Sequence, residues 1–375
     1  MLIQEGKFNV VIGGQAGSEA KGKLSAFIAH NTNPPIDIVT MAASPNAGHT
    51  YINNAGSKYV SYHLPAAGKV VQMRGGVIAL GPTSVINVKI FLKEVLDLSL
   101  NIDRIYIDPR ATIITDECVA AECGGTFSNI GSTTQGVGVA RSRKIGRGHL
   151  GPVHFAKDDE MLLDHGARIM EVVPFVNRSL LDGDTILHEM TQGFDLDLEH
   201  GIAPAYCTSK MINTSMGMAE MGVPPQWIGE VIGVIRPYPI RVSNRTGYSG
   251  SYAEAAEISW EEVRKRCGAP LVDATGAPLS FGEITTTTKL PRRVFEFSWE
   301  RFRRFVRVCG PTQICLQFAN YLDWSIYGKK QDEILWDNHP AVDDFVRKLS
   351  GNGGRVTFIG TGPQNDQMWS YALCR

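Results

Sequence analysis

A single junction near the start of the chain constrains the fold more than any other feature. Residues 8–12 form a short apolar, β-branched run that Gly13-Gly14 ends abruptly, which predicts a buried first strand. Helical apolar spacing begins at residues 24–30. Between them lies Gly13-Gly14-Gln15-Ala16-Gly17-Ser18-Glu19-Ala20-Lys21-Gly22-Lys23, so the opening reads strand, glycine-rich loop, helix. Glycines let backbone N–H groups turn toward a phosphate, and a helix N-terminus adds a favourable dipole. Lys21 and Lys23 supply positive charge. The spacing departs from G-x-x-x-x-G-K-[ST], because Lys21 precedes Gly22. At this level a phosphate loop competes with an ordinary tight strand–helix turn.

Further strands are predicted over residues 36–41, 76–80, 105–107, 185–187 and 356–359. Helices are predicted over 85–98, with Asn87 near its start, and over 260–267. Strands alternating with helices imply an α/β fold, with a large, mainly parallel central sheet flanked by helices. No linker or internal repeat interrupts the 375 residues, so a single domain over 1–375 is expected. Two polar, glycine-rich stretches, 124–148 and 241–252, read as long functional loops.

Charge and cysteines narrow the function classes. A net charge of −1 argues against a dedicated nucleic-acid binder. Seven cysteines without a C-x-x-C pair favour neither a disulfide framework nor a zinc site, and a reduced cytoplasmic setting is expected. No run approaches the roughly 18 apolar residues of a spanning helix, so no membrane association is expected.

The first loop resembles the G-x-Q-W-G-D-E-G-K-G-K opening of the adenylosuccinate synthetase family. Asn46-Ala47-Gly48-His49-Thr50 repeats that family's N-A-G-H-T string letter for letter. Residues 130–138 resemble its I-G-T-T-G-R-G-I-G loop, and Gln192-Gly193 with His200-Gly201 its A-Q-G…D-H-G segment. Residues 286–293 are similar to its aspartate loop, and Gly360-Thr361-Gly362-Pro363 to its late T-G-P turn. These matches are collinear and span nearly the whole chain.

The resemblance implies a ligase that phosphorylates a purine 6-oxygen with a nucleoside triphosphate and then displaces the phosphate with the aspartate amine. It implies catalytic roles for Ser18, Lys21, His49 and Gln192. The triphosphate would be held by Ser18, Glu19, Ala20, Lys21, Gly22, Gly48, His49 and Thr50. Asn320, Asp323, Gly362 and Pro363 would surround its base. Mg²⁺ would sit at Ser18 and Gly48. The monophosphate would meet Ser18, Asn46, Ser132, Thr133, Thr134, Gln192, Thr208 and Ser209. Arg147 would be donated by the second subunit of a homodimer. Thr287, Thr288, Lys289, Arg292 and Arg293 would bind L-aspartate.

The departures from the pattern carry as much information. Ser18 stands where the family has the Asp that serves as base, and a hydroxyl cannot replace a carboxylate in that role. Guanine carries a 2-amino group beside N1, and a small hydroxyl leaves room for it and can accept its hydrogen bond. The same Ser resembles a viral branch of the family that acts on dGMP on the way to 2-aminoadenine DNA, which would place the enzyme in a host cytoplasm. Lys289-Leu290 replaces an Arg expected near the ribose, which a deoxyribose site tolerates. Tyr321 replaces the Lys of the family's K-x-D, which points toward ATP or dATP. An IMP-specific synthetase using GTP and an inactive nucleotide-binding paralogue stay open as alternatives.

Overall fold

The structure, a computed structural model, describes residues 2–124, 132–202, 206–243, 249–252, 254–272, 281–285, 290–334 and 338–370. Its centre is a sheet of ten strands: Phe8–Gly13 (β1), Ile38–Met41 (β2), Val77–Leu80 (β3), Ile105–Ile107 (β4), Arg168–Ile169 (β5), Ile186–Glu189 (β6), Ile228–Ile235 (β7), Gln313–Leu316 (β8), Val356–Gly360 (β9) and Met368–Ser370 (β10). Their spatial order is β10-β9-β8-β7-β1-β6-β2-β3-β4-β5. Every neighbouring pair is parallel except β9 with β10. The mainly parallel α/β expectation is met.

Both faces of this sheet are covered, which explains why β1 is buried at every position. Val11, Val39 and Leu187 pack into one apolar layer with Leu24 and Ile28 of the first helix, Lys21–Asn31 (α1). Phe8, Val10, Ile12 and Ile186 enter the opposite layer with Phe302 and Phe305. Asn9 is polar yet fully buried in mid-strand. The pairing of β1 with β7 slips between Phe8 and Val10, and the Asn9 side chain stitches that irregularity. It accepts from the backbone N–H groups of Gln4 and Glu230, both at 2.9 Å, and donates to the Gln4 carbonyl at 2.8 Å.

The strand at 105–107 and the helix at 260–267 occur where they are predicted. The helix predicted over 85–98 is corrected. Val85–Ile86 form a short strand paired with Thr112–Ile113, and the helix is Val88–Asp97. Asn87 marks the change, because its side chain accepts from the Ile90 N–H and caps the helix. The expected loop over 124–148 is also corrected, since it contains the helix Val137–Ile145, while 125–131 lie outside the described residues. Arg241, at the start of the second expected loop, belongs to the strand Ile240–Arg241. Among the described residues no helix is long and apolar enough to cross a membrane.

In an open parallel sheet, ligands collect outside the carboxyl ends of the strands where the order reverses. Here β1 is central and its carboxyl end is Gly13, flanked by Glu189 ending β6 and Ile235 ending β7. The glycine-rich loop therefore opens at the middle of the sheet's functional edge.

Candidate active site

The loop from Gly13 to Lys21 is held from inside. Glu19 is fully buried, and one carboxylate oxygen accepts the N–H groups of Gln15 at 3.2 Å and Gly17 at 2.7 Å. Its other oxygen pairs with Lys21 Nζ at 2.8 Å. A Cβ on Gly13 would stand 2.9 Å from the Gln192 backbone carbonyl oxygen as well as 2.7 Å from that carboxylate oxygen, so the position favours glycine. Gln15 exchanges two hydrogen bonds with the Arg236 backbone just beyond β7, and the Arg236 guanidinium donates to the Ser18 carbonyl at 3.2 Å. These contacts hold Ser18 and Ala20 at φ of 59° and 65°, a region that costs a non-glycine residue about 1 kcal/mol or more. Ala20 offers no side-chain cap, so the first N–H groups of α1 are left for a ligand.

The loop borders a cavity of 710 Å³. Of the residues expected there, Ser18, Ala20, Lys21, Gly22, Asn46, Gly48, His49, Thr50, Ser132, Thr133, Gln192, Thr208, Ser209, Arg292, Asn320, Gly362 and Pro363 line it. Thr287, Thr288 and Lys289 lie outside the described residues. Five others lie apart from the lining. Glu19 is spent on the loop. Thr134 donates its hydroxyl to the Thr133 carbonyl at 2.8 Å. Arg147 is exposed on the turn after Val137–Ile145. Arg293 grips Glu257 and the Gly250 carbonyl.

Asp323, expected at the triphosphate base, is the fifth. Its carboxylate accepts from Ser325 and pairs with His339 at 2.8 Å, capping the short turn Trp324–Ile326. Asn320, which is buried, lines the cavity.

His49 is oriented by a residue that sequence reasoning missed. Its Nδ1 lies 2.7 Å from Glu189, whose second oxygen accepts the Ala66 N–H at 3.1 Å. A carboxylate only accepts, so Nδ1 carries the proton. Among the described residues the buried Nε2 has no partner, in a side chain that lines the cavity. A carboxylate closing an apolar strand is the sequence signal that could have revealed Glu189.

Arg236 was missed as well. It is fully buried, stands 4.2 Å over the Phe318 ring and pairs with Glu283. Glu283 also binds Arg292 at 2.5 Å and accepts from the Tyr321 hydroxyl at 3.2 Å. Burial alone would raise the Glu283 carboxyl, but Arg236 and Arg292 hold it down at about 2. Burial pushes the Tyr321 phenol up, and the Glu283 charge adds to that. Lys23 runs beneath the cavity and donates to the carbonyls of Gly362 and Gln367, both at 2.6 Å, with burial lowering it to about 7. Below the loop, burial raises Asp195 to about 6, although the Tyr252 hydroxyl bonded to it opposes the shift.

Among the described residues no three His, Cys, Asp or Glu side chains converge as a metal-binding group. The Ser18 hydroxyl and the Gly48 carbonyl are hard oxygen donors on the cavity wall. Such a sparse set suits a Mg²⁺ carried mainly by phosphates and water.

The adenylosuccinate synthetase family pattern matches residues 10–165 and 155–325. The N6-succino-2-amino-2'-deoxyadenylate synthase of Vibrio phage phiVC8 is 32% identical over 320 residues, 84% of this chain and 86% of the relative. The adenylosuccinate synthetase of Archaeoglobus fulgidus is 30% identical over 362 residues, 96% of each chain. Among solved structures, cyanophage S-2L succinoaminodeoxyadenylate synthetase bound to dGMP and dATP as an energy donor superposes with a TM-score of 0.79. It is 27% identical and covers 98% of this chain and 96% of its own.

Proposed function

The chain belongs to the adenylosuccinate synthetase family, and from that premise we propose that it joins L-aspartate to the 6-position of dGMP. The products are N6-succino-2-amino-2'-deoxyadenylate, a nucleoside diphosphate and phosphate, for 2-aminoadenine DNA synthesis. The observation that carries the choice of dGMP is Ser18, which lines the cavity where the family places a carboxylate. A hydroxyl accommodates the guanine 2-amino group and accepts from it, whereas hypoxanthine has nothing there to satisfy. The phage relatives named for this reaction support the same choice. Such a viral ligase works in the host cytoplasm.

The chemistry is phosphoryl transfer followed by substitution. The γ-phosphoryl group moves to O6 as the N1 proton is lost to water, which turns a poor leaving group into phosphate; the aspartate amine then attacks C6, gives up a proton, and phosphate departs. Lys21 and the open N-terminus of α1 stabilise charge on the phosphates. His49, its Nδ1 proton held by the Glu189 carboxylate, acts as an imidazolium and donates its Nε2 proton to the oxygen between C6 and the transferred phosphoryl group. Gln192 has an unpartnered amide nitrogen among the described residues and holds the base or sugar. Thr133, Thr208 and Ser209 receive the 5'-phosphate.

The family uses a divalent metal, and the Gly48 carbonyl and Ser18 hydroxyl would hold Mg²⁺ here. Bound to the triphosphate, the ion would neutralise charge on the group being transferred. Asn320 reads the triphosphate base as an adenine, since a side-chain amide both donates and accepts as the adenine edge requires. Arg292, which lines the cavity, binds aspartate with Thr287, Thr288 and Lys289, and Arg293 joins them by exchanging Glu257 for the ligand. Arg147 reaches the 5'-phosphate of a second copy in a homodimer.

The test supplies dGMP or IMP separately, with aspartate, Mg²⁺ and each of ATP, dATP and GTP, and follows succinylated product by mass. Product from dGMP with an adenine triphosphate is expected. Product from IMP alone would overturn the reading of Ser18, and binding without turnover would support an inactive paralogue.

A further inference from the structure

We propose that Arg141 and Lys210 form a cationic support behind the cavity wall that receives the 5'-phosphate, so that this chain attracts the monophosphate in cis, through positioning residues that do not touch it. The proposal rests on the reading above that the 5'-phosphate lies against Thr133, Thr208 and Ser209.

That wall is built from two segments. Ser132, Thr133 and Gly138 come from one, and Thr208 and Ser209 from the other. Thr133 donates its hydroxyl to Asn46 at 2.8 Å, which joins the wall to the N-A-G-H-T segment. Backbone donors at the start of the helix Val137–Ile145 would be the ordinary source of positive potential. Here Glu122 accepts two of them, the N–H groups of Gly136 at 2.7 Å and Gly138 at 2.6 Å, and sets a negative charge against the rest. The Glu122 carboxylate itself lines the cavity. Attraction for a dianion at this wall therefore needs side-chain cations to offset that carboxylate.

Two such cations lie directly behind it. Arg141, one turn beyond Gly138, donates to the Ser209 carbonyl at 3.3 Å. Its Nε is buried without a hydrogen-bond partner, and no carboxylate reaches ion-pair distance of it among the described residues. Lys210 follows Ser209, is 7% exposed, and pairs with Glu220 at 2.6 Å. The other Glu220 oxygen stands 3.7 Å from His188 Nε2 on β6, and His188 Nδ1 meets the Thr40 hydroxyl on β2 at 2.9 Å. Burial, first of all, disfavours the charged form of His188. The cluster thus carries two cations against the single carboxylate of Glu220.

A charge buried without a counter-charge is costly, and removing the charge would relieve that cost in the empty protein. A dianionic phosphate on the far side of Ser209 supplies the missing counter-charge. Arg141 suits this role because a guanidinium stays protonated when burial lowers its pKa, as it does here.

The experiment compares steady-state kinetics of the full-length wild type with Arg141→Met, Arg141→Lys and Lys210→Met, alongside equilibrium binding of dGMP and of deoxyguanosine. Arg141→Met is expected to raise KM for dGMP about tenfold, with kcat changed less than about twofold and KM for ATP and aspartate unaffected. Arg141→Lys should recover most of the loss, and Lys210→Met should show the same pattern as Arg141→Met. Affinity for deoxyguanosine, which lacks the phosphate, should not change. An unchanged KM for dGMP in folded Arg141→Met overturns the proposal, as does an equal loss for deoxyguanosine or for all substrates. If Arg141→Met does not fold, Arg141→Gln carries the same expectation. If both neutral variants fail to fold while Arg141→Lys folds, the charge is structural and the proposal falls. Should IMP be the nucleotide turned over, the same ratios are read on IMP and inosine, so a wrong substrate and a wrong role for Arg141 give different results.

Discussion

The two sides of the cavity satisfy their charges in opposite ways. On the side of the glycine-rich loop, nearly every charge already has a partner in the protein: Lys21 with Glu19, Arg236 and Arg292 with Glu283, Lys23 with two backbone carbonyls. On the side of Thr133 and Ser209 the hydroxyls stand beside Glu122, which is spent on backbone N–H groups, and Arg141 behind them has no carboxylate at ion-pair distance among the described residues. The first arrangement fixes geometry before any ligand arrives, which phosphoryl transfer requires because catalysis there is mostly positioning. The second arrangement leaves its electrostatic demand to be met by the ligand. Substitutions on the first side should therefore alter rate and stability, and those on the second should alter affinity.

Removing His49 should give the largest effect. His49→Asn is expected to lower kcat by about 10²–10⁴-fold with a small change in KM, read from initial rates under saturating substrates. A comparable rise in KM would place His49 with the ligand-waiting groups instead. Next is Glu283→Gln, which leaves Arg236 buried without its counter-charge and should cost about 3–5 kcal/mol in denaturant unfolding.

The acid dependence follows from the same ion pairs. The Glu283 carboxyl lies below its ordinary value, so its contribution is present above about pH 4.5 and is lost as pH falls toward about 2. Wild-type stability should fall along that limb, and Glu283→Gln should lack this part of the fall. Asn320→Asp comes third. Replacing an amide by an acceptor-only carboxylate should move triphosphate preference from adenine toward guanine by about tenfold, measured as a ratio of kcat/KM values. The smallest effect belongs to Thr133→Val, with KM for the monophosphate up about fivefold and the unfolding midpoint unchanged. A drop in that midpoint would erase the contrast between the two sides.

The sequence made some of this legible and hid the rest for physical reasons. The strand at 8–12 and the helix at 260–267 announce themselves because local pattern and burial agree there. Val85-Ile86 were absorbed into a helix because their pairing partners, Thr112 and Ile113, are remote in sequence. Motif residues such as Ser18, His49 and Ser209 could be named because they occur in contiguous strings, and the structure brings them to one cavity. Glu189, Arg236 and Glu283 could not, since their roles exist only through partners on other elements. Asp323 and Asn320 show the limit of spacing alone. Three positions apart, one turns to His339 and the other to the cavity, and only the turn between them decides which.

The position of β1 has a consequence for how the molecule is made. This strand is translated well before the segments it pairs with, Ile186–Glu189 and Ile228–Ile235. The loop that follows it is pinned by Arg236, and α1 is tied to Gly362. The strand must therefore wait, apolar and unpaired, until its partners up to Ile235 have been synthesised. Non-local pairing of this kind slows folding and prolongs exposure to aggregation. The glycine-rich loop is the first part of the cavity wall to be translated and among the last to take shape.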